Sequence, residues 1–196
     1  MGVSDIIGAD WHVAGSVVTI LRARHVFKVV FIGDPGVGKT SIVAKHVSAA
    51  FKENYIPTLG TNISSKNYSI AGNPVSLMIW DIAGQEVFKT VIQKYFEGTN
   101  AAFIVFDVTR PETYHSVALW YQEMMRFVPK STPLVVIGNK IDLPRKVDRK
   151  EGERVAKELG AAYMETSAKT GSNVDQAFEQ IAKELLSEAI VARESD

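Results

Sequence analysis

The sequence predicts an α/β fold, a mostly parallel sheet flanked by helices, and three observations point there. From residue 26 onward, short β-branched runs alternate with longer segments of helical periodicity. The first run ends directly in a glycine-rich loop, Gly33-Asp34-Pro35-Gly36-Val37-Gly38-Lys39-Thr40, which opens a helical segment. Only Ala71-Gly72-Asn73-Pro74 separates the second and third runs. That turn is too short for a crossover, so this pair is expected to be an antiparallel hairpin.

The strands are expected at Val26 to Ile32, Asn62 to Ile70, Val75 to Asp81, Ala101 to Asp107, Leu134 to Asn139 and Ala162 to Glu165. In the last helix Val174, Phe178, Ile181, Leu185 and Ala189, with Ala177, Ala182 and Leu186 beside them, recur at three and four and make one apolar stripe. Val117, Trp120, Tyr121, Met124, Met125 and Val128 do the same after Pro111, which suits a first helical turn. These aromatics and methionines read as core. The charged run Arg145 to Lys157 reads as a solvated loop and helix face.

With 196 residues the chain fits one domain and an appendage. The division expected is an N-terminal extension over 1–25, a nucleotide-binding domain over 26–190 and a short tail over 191–196. There is no cysteine, which removes disulfide frameworks, thiolate zinc sites and thiol catalysis. The four histidines are too scattered for a local metal motif. Lys+Arg and Asp+Glu number 22 each, so the net charge is zero and no field draws in nucleic acid. Asp5 and Asp10 occupy the place where a signal peptide wants positive charge. Met1-Gly2 opens a myristoylation-like pattern, but Ile6 stands where Ser or Thr is needed. The expected location is cytoplasmic, with peripheral membrane association and oligomeric state left open.

The glycine-rich loop matches G-x-x-x-x-G-K-[ST] between a strand and a helix. Its glycines let successive N–H groups converge on a β-phosphate, and the helix that follows adds the positive end of its dipole. Lys39 supplies a point charge to the β- and γ-phosphates, and the Thr40 hydroxyl is suited to Mg²⁺. The loop alone does not choose between adenine and guanine. Asn139-Lys140-Ile141-Asp142, at the end of a buried apolar strand, adds the choice. The Asp142 carboxylate can accept two parallel N–H bonds from the N1 and 2-amino groups of guanine, an edge adenine lacks.

Together with Trp80-Asp81-Ile82-Ala83-Gly84-Gln85-Glu86 and Glu165-Thr166-Ser167-Ala168-Lys169, these segments fall in the order and spacing of Ras-superfamily small GTPases. The chain most resembles the Rab branch, over roughly residues 26 to 188. The resemblance implies a six-stranded sheet with one antiparallel strand and about five helices. It implies GTP or GDP as bound ligand, with Mg²⁺. Gly33, Asp34, Pro35, Gly36, Val37, Gly38, Lys39, Thr40 and Ser41 would surround the phosphates. Thr58 would join Thr40 on the metal, and Asp81 would hold it through water. Gly84 would meet the γ-phosphate and Gln85 would orient the attacking water. Tyr55 would close over the phosphates and Phe51 would pack edge-on to the base. Asn139, Lys140, Asp142, Ser167, Ala168 and Lys169 would complete the guanine site. Loss of the γ-phosphate would release Thr58 and Gly84 together, a switch whose partners would be effectors, an exchange factor and an activating protein.

The sequence departs from this pattern in several places. Pro35 stands where relatives carry a small residue, and it deletes one N–H from the loop. Hydrolysis is expected to survive, slowly, because Gln85 is intact, and nothing in the sequence plainly supplies an arginine for the transition state. The alternatives are a guanine-nucleotide module that never turns over, and a phosphate-loop kinase, against which Asn139 to Asp142 speak. Ile63 and Val87 replace the Phe and Arg usual in Rab sequences, while Trp80 and Tyr95 keep the aromatic positions. The chain ends Ala192-Arg193-Glu194-Ser195-Asp196 without a thiol to prenylate. The expectation is that it works unanchored, anchors by another device, or continues further. In the extension, Ile6, Ile7, Val13, Ala14, Val17, Val18 and Leu21 form one rough apolar helix face with Trp11 at its margin. That face is expected to pack on its own domain or a partner rather than on lipid, because its arginines are only Arg22 and Arg24, at its end with His25, and it has no lysine.

Overall fold

The structure, a computed structural model, describes residues 24–49, 58, 60–84 and 92–194. The apolar face expected in the extension therefore lies outside the described residues, as do Phe51, Tyr55, Gln85 and Val87.

The elements run β1 (His25–Ile32), α1 (Lys39–Ser48), β2 (Thr61–Ile70), β3 (Asn73–Ile82), α2 (Ile92–Phe96), β4 (Ala101–Asp107), α3 (Pro111–His115), α4 (Val117–Met124), β5 (Leu134–Asn139), α5 (Arg149–Glu158), β6 (Ala162–Thr166) and α6 (Val174–Glu194). The six strands form one sheet in the order β2-β3-β1-β4-β5-β6, parallel except where β2 meets β3. The chain order reverses beside β1, so the crevice at the carboxyl end of β1 is the place where an open α/β sheet takes its ligand.

Both sheet faces are covered, and the strands show it by alternating between two cores. Val29 and Phe31 of β1 join Phe103 and Val105 of β4 under α1 and α6, where Phe178 stacks on Phe31. Val30 and Ile32 join Ile104 and Phe106 on the other face, under α3, α4 and α5. The stripe expected on the last helix is buried from Val174 to Leu186.

Two boundaries differ from expectation. The hairpin turn is two residues, Ala71 and Gly72, both with positive φ (48° and 76°), while Asn73 and Pro74 already pair with Ile70 and Ser69. A two-residue turn of this hand matches the twist of its flanking strands, and a proline is tolerated near a strand's start. The helix expected after Pro111 is two segments that part at Ser116, whose backbone is still right-handed helical. The charged run is solvated as expected: α5 starts with a capping box between Asp148 and Glu151 and carries Arg149–Glu153 and Arg154–Glu158 pairs on its exposed face.

Candidate functional site

The glycine-rich loop leaves β1 and curls into α1, and close approaches require glycine both within it and beside it. Gly38 has φ 101°, and a Cβ there would lie 2.3 Å from Asn139 Nδ2. A Cβ on Gly84, which follows β3, would lie 2.5 to 2.7 Å from the backbone of Gly33, Asp34 and Pro35. Gly84 therefore rests directly on the loop, and any side chain would push the two segments apart.

Lys39, at the start of α1, is buried, and its Nζ donates to the carbonyls of Gly33 (2.7 Å) and Asp34 (3.0 Å). Burial lowers its ammonium to about 8 against the opposing pull of Asp81 and Asp34. A cation so desolvated and satisfied only by carbonyls is poised for a stronger anionic partner.

The three residues expected around a metal converge. The Thr40 hydroxyl donates to Asp81 Oδ2 at 2.5 Å and lies 2.8 Å from the Thr58 hydroxyl. Asp81 is 1% exposed, and its other oxygen, Oδ1, has no hydrogen-bond partner. Burial pushes this carboxyl up, while the Thr40 hydrogen bond and Lys39 oppose the rise. An all-oxygen set with one orphaned buried carboxylate oxygen fits a hard cation that retains waters, as Mg²⁺ does.

At the far side of the loop a second set of contacts is centred on Asn139. Its Nδ2 donates to the Val37 carbonyl (2.9 Å), while its Oδ1 accepts from the Thr166 hydroxyl (2.9 Å) and the Ala168 N–H (3.3 Å). One amide thereby fixes the loop against β6 and the segment after it. Lys140 adopts φ 70°, a left-handed conformation costly for a non-glycine residue. Its Nζ bonds to the Gly36 carbonyl (2.8 Å) and pairs with Asp107 (2.7 Å). Asp142 is exposed and accepts from the Ser167 hydroxyl (2.6 Å), which orients the carboxylate and leaves lone pairs for another planar donor edge. Ser167 and Ala168 are buried and Lys169 is exposed. Ser41 follows Thr40 on α1, half-buried.

Sequence reasoning missed three contributors. Asp107 ends β4 at 1% exposure and joins Lys140 and Arg110. Burial alone would raise its carboxyl, but bonds from Lys140 and Thr109 hold it below the usual range. Arg110 donates from Nη2 to the Pro35 carbonyl (2.9 Å). Trp120, read as core, does pack on the core, but its indole N–H also donates to Asp34 Oδ1 (2.7 Å) and ties the loop to α4. A carboxylate closing a seven-residue apolar strand was the one available signal for Asp107. Arg110 and Trp120 carried none, because their partners are distant in sequence.

Trp80 and Tyr95 pack against the core and are only partly buried, and Lys28 Nζ sits 3.9 Å from the Trp80 ring centre. Ile63, the cross-strand partner of Trp80, is 48% exposed. No helix among the described residues is long and apolar enough to cross a membrane.

Comparison with known proteins agrees with this geometry. The "Ras-related protein Rab-26" of Mus musculus is 40% identical over 162 residues, covering 81% of this chain and 62% of its own length. The protein of the same name from Rattus norvegicus is likewise 40% identical over 162 residues, covering 81% of this chain and 63% of its own. The chain thus spans less than two thirds of the length of these relatives. The profile of the Ras family matches residues 28–187, which takes in the loop, the Asp81 strand and the Asn139 to Asp142 segment, and the chain belongs to that family.

Proposed function

We propose that the protein is a small GTPase switch that binds GTP or GDP with Mg²⁺ and slowly hydrolyses GTP to GDP and phosphate. The observation that carries this reading is the meeting of Thr40, Thr58 and Asp81, with Asp81 Oδ1 buried and unpartnered. These three would hold Mg²⁺, which would supply positive charge to offset that of the phosphates.

The roles of the chain's own residues follow. Lys39 would exchange its two carbonyl partners for phosphate oxygens, with a gain because a carbonyl is a weaker partner for a buried ammonium than an anion. Asp142, oriented by Ser167, would accept the guanine N–H edge, and the Ala168 N–H, held toward Asn139, would lie near the guanine oxygen. Thr58 and Gly84 belong to two separate segments, and both touch the phosphate loop or its metal residues. Loss of the γ-phosphate would remove a shared anchor, so the two segments would relax together and change one surface. Effectors would read that surface, an exchange factor would reload it, and an activating protein would shorten its life.

A second reading, a guanine-nucleotide module without turnover, draws on Pro35. Proline deletes one N–H from the loop at the point where its backbone approaches Gly84, the residue before Gln85. Single-turnover assays with GTP, GDP and ATP in competition separate the two. GTP cleaved over minutes to hours, and slower in Gln85→Leu, supports the switch. Bound GTP left wholly intact, with Gln85→Leu changing nothing, supports the module. Equal affinity for adenine and guanine nucleotides would overturn both.

A further inference from the structure

We propose that Arg110 is the chain's own cation for the terminal phosphates, serving GTP hydrolysis without a second protein; this rests on the GTPase reading above. Arg110 lies in the turn between β4 and α3, just before Pro111. Its guanidinium is held from behind by Asp107, with Nε 3.2 Å from Oδ2, and is aimed forward at the phosphate loop, with Nη2 2.9 Å from the Pro35 carbonyl. A Cβ built on Gly36 would lie 3.7 Å from the same Nη2, so the group covers the loop's outer rim at Pro35 and Gly36.

The cations at this rim share one carboxylate, Asp107, because the loop's own Asp34 is taken by the neutral Trp120 indole N–H. The Asp107 Oδ2 atom meets both Lys140 and Arg110, while Oδ1 takes the N–H and hydroxyl of Thr109. One carboxylate thus faces two cations, each of which also donates to one of two successive loop carbonyls, Pro35 and Gly36. Pro35 meanwhile lacks the N–H that any other residue would give the loop, so the cation bonded to its carbonyl stands beside the missing donor. Two of the five guanidinium donors are engaged in these bonds, and the planar fork suits phosphate oxygens.

In hydrolysis the water oxygen bonds to the γ-phosphorus, and the bond from that phosphorus to the β–γ bridging oxygen breaks. Its electron pair stays on GDP, and the water proton leaves with inorganic phosphate or solvent. Negative charge grows on the bridging and β-oxygens, and a fixed cation at the loop rim stabilises it without reorganising.

The test uses the full chain loaded with GDP and Mg²⁺, with aluminium fluoride as a mimic of the transferring phosphoryl group and no other protein present. The native chain is expected to capture aluminium fluoride, Arg110→Ala to lose that capture, and Arg110→Lys to recover part of it. Single-turnover GTP hydrolysis is expected to fall about a hundredfold in Arg110→Ala, with GDP affinity changed no more than about threefold. If Arg110 only staples the loop, Arg110→Ala lowers GDP affinity and melting temperature but leaves capture and hydrolysis in place, which overturns the proposal. Normal GDP binding with no capture by the native chain overturns it too. Absence of GDP binding in the native chain overturns the GTPase reading beneath it.

Discussion

Two buried polar clusters in this domain differ in how fully they are satisfied. At the carboxyl end of β3, Asp81 keeps a buried oxygen with no partner, and Lys39 is desolvated against two carbonyls. Between α1, β2 and α6, by contrast, His46 has both ring nitrogens engaged: Nδ1 donates to Asp175 (2.7 Å) and Nε2 accepts from the Tyr68 hydroxyl. Its ring lies 3.8 Å from Phe178 at an interplanar angle of 6°. The Lys66 ammonium closes the cluster on the His46 carbonyl (3.1 Å). A satisfied network fixes a core, whereas an unsatisfied one holds free energy that a ligand can release. The contrast marks the Asp81 cluster, and not the His46 cluster, as the candidate site, although Asp81 and His46 are both buried.

The largest effect that would sharpen this contrast is expected at Asp142. Asp142→Asn replaces an acceptor pair with an amide that both donates and accepts, so GDP affinity should fall at least about a hundredfold. Xanthosine diphosphate should then bind better than GDP. Nucleotide competition measures both, and unchanged preference for GDP would remove Asp142 from base recognition.

Next in size is Gly84→Ala. The added methyl would press on the loop backbone at 2.5 to 2.7 Å, so the segment must lift away. Misplacement on this scale should slow hydrolysis by about a hundredfold, while GDP affinity stays within about threefold, because the clash is relieved by moving the segment and not the loop. A proportional loss of both would place Gly84 inside the diphosphate site instead.

The Lys39 ammonium gives a pH signature. Free, it sits at about 8; with phosphates bound it must sit higher. Above pH 8 binding therefore takes up a proton, and nucleotide affinity should fall by up to about tenfold per pH unit. Calorimetry in buffers of different ionisation enthalpy would report that proton, and a flat affinity from pH 7 to 10 would contradict it.

The smallest effect belongs to the satisfied cluster. Burial pushes His46 below its usual value, against the pull of Asp175. The unfolded chain then binds more protons between the two values, so stability is full above about 6.5 and falls with pH through the folded value. Melting temperature should drop by about 2–4 °C for each kcal/mol lost. The double change His46→Phe with Tyr68→Phe removes the titrating ring and the hydroxyl it would strand, and should flatten that acid slope without altering nucleotide binding. A coupled loss of GDP affinity would join the two clusters.

Much of this was legible in the residues themselves. The strand and helix order follows from periodicity, because burial on both faces of β4, β5 and the Val29 to Ile32 part of β1 demands apolar runs there. The phosphate loop and the Asn139 to Asp142 segment are contiguous, so their chemistry reads directly off the chain. The turn at Ala71-Gly72 and the parting at Ser116 were less clear: the first needs positive φ at two successive residues, one of them not glycine, and the second leaves the backbone right-handed helical.

What the sequence by itself determined is the family, through the glycine-rich loop, the strand that ends at Asp81 and the Asn139 to Asp142 segment. What only the tertiary structure decided is how these parts are braced. Arg110 and Trp120, from the turn after β4 and from α4, reach the glycine-rich loop across 75 and 86 residues of chain, and Asp107, at the end of β4, holds Lys140, which itself crosses 104 residues to Gly36. Hydrogen bonds and charges act over a few ångströms of space, and no local pattern reports which distant residue will fill that space once the sheet has formed.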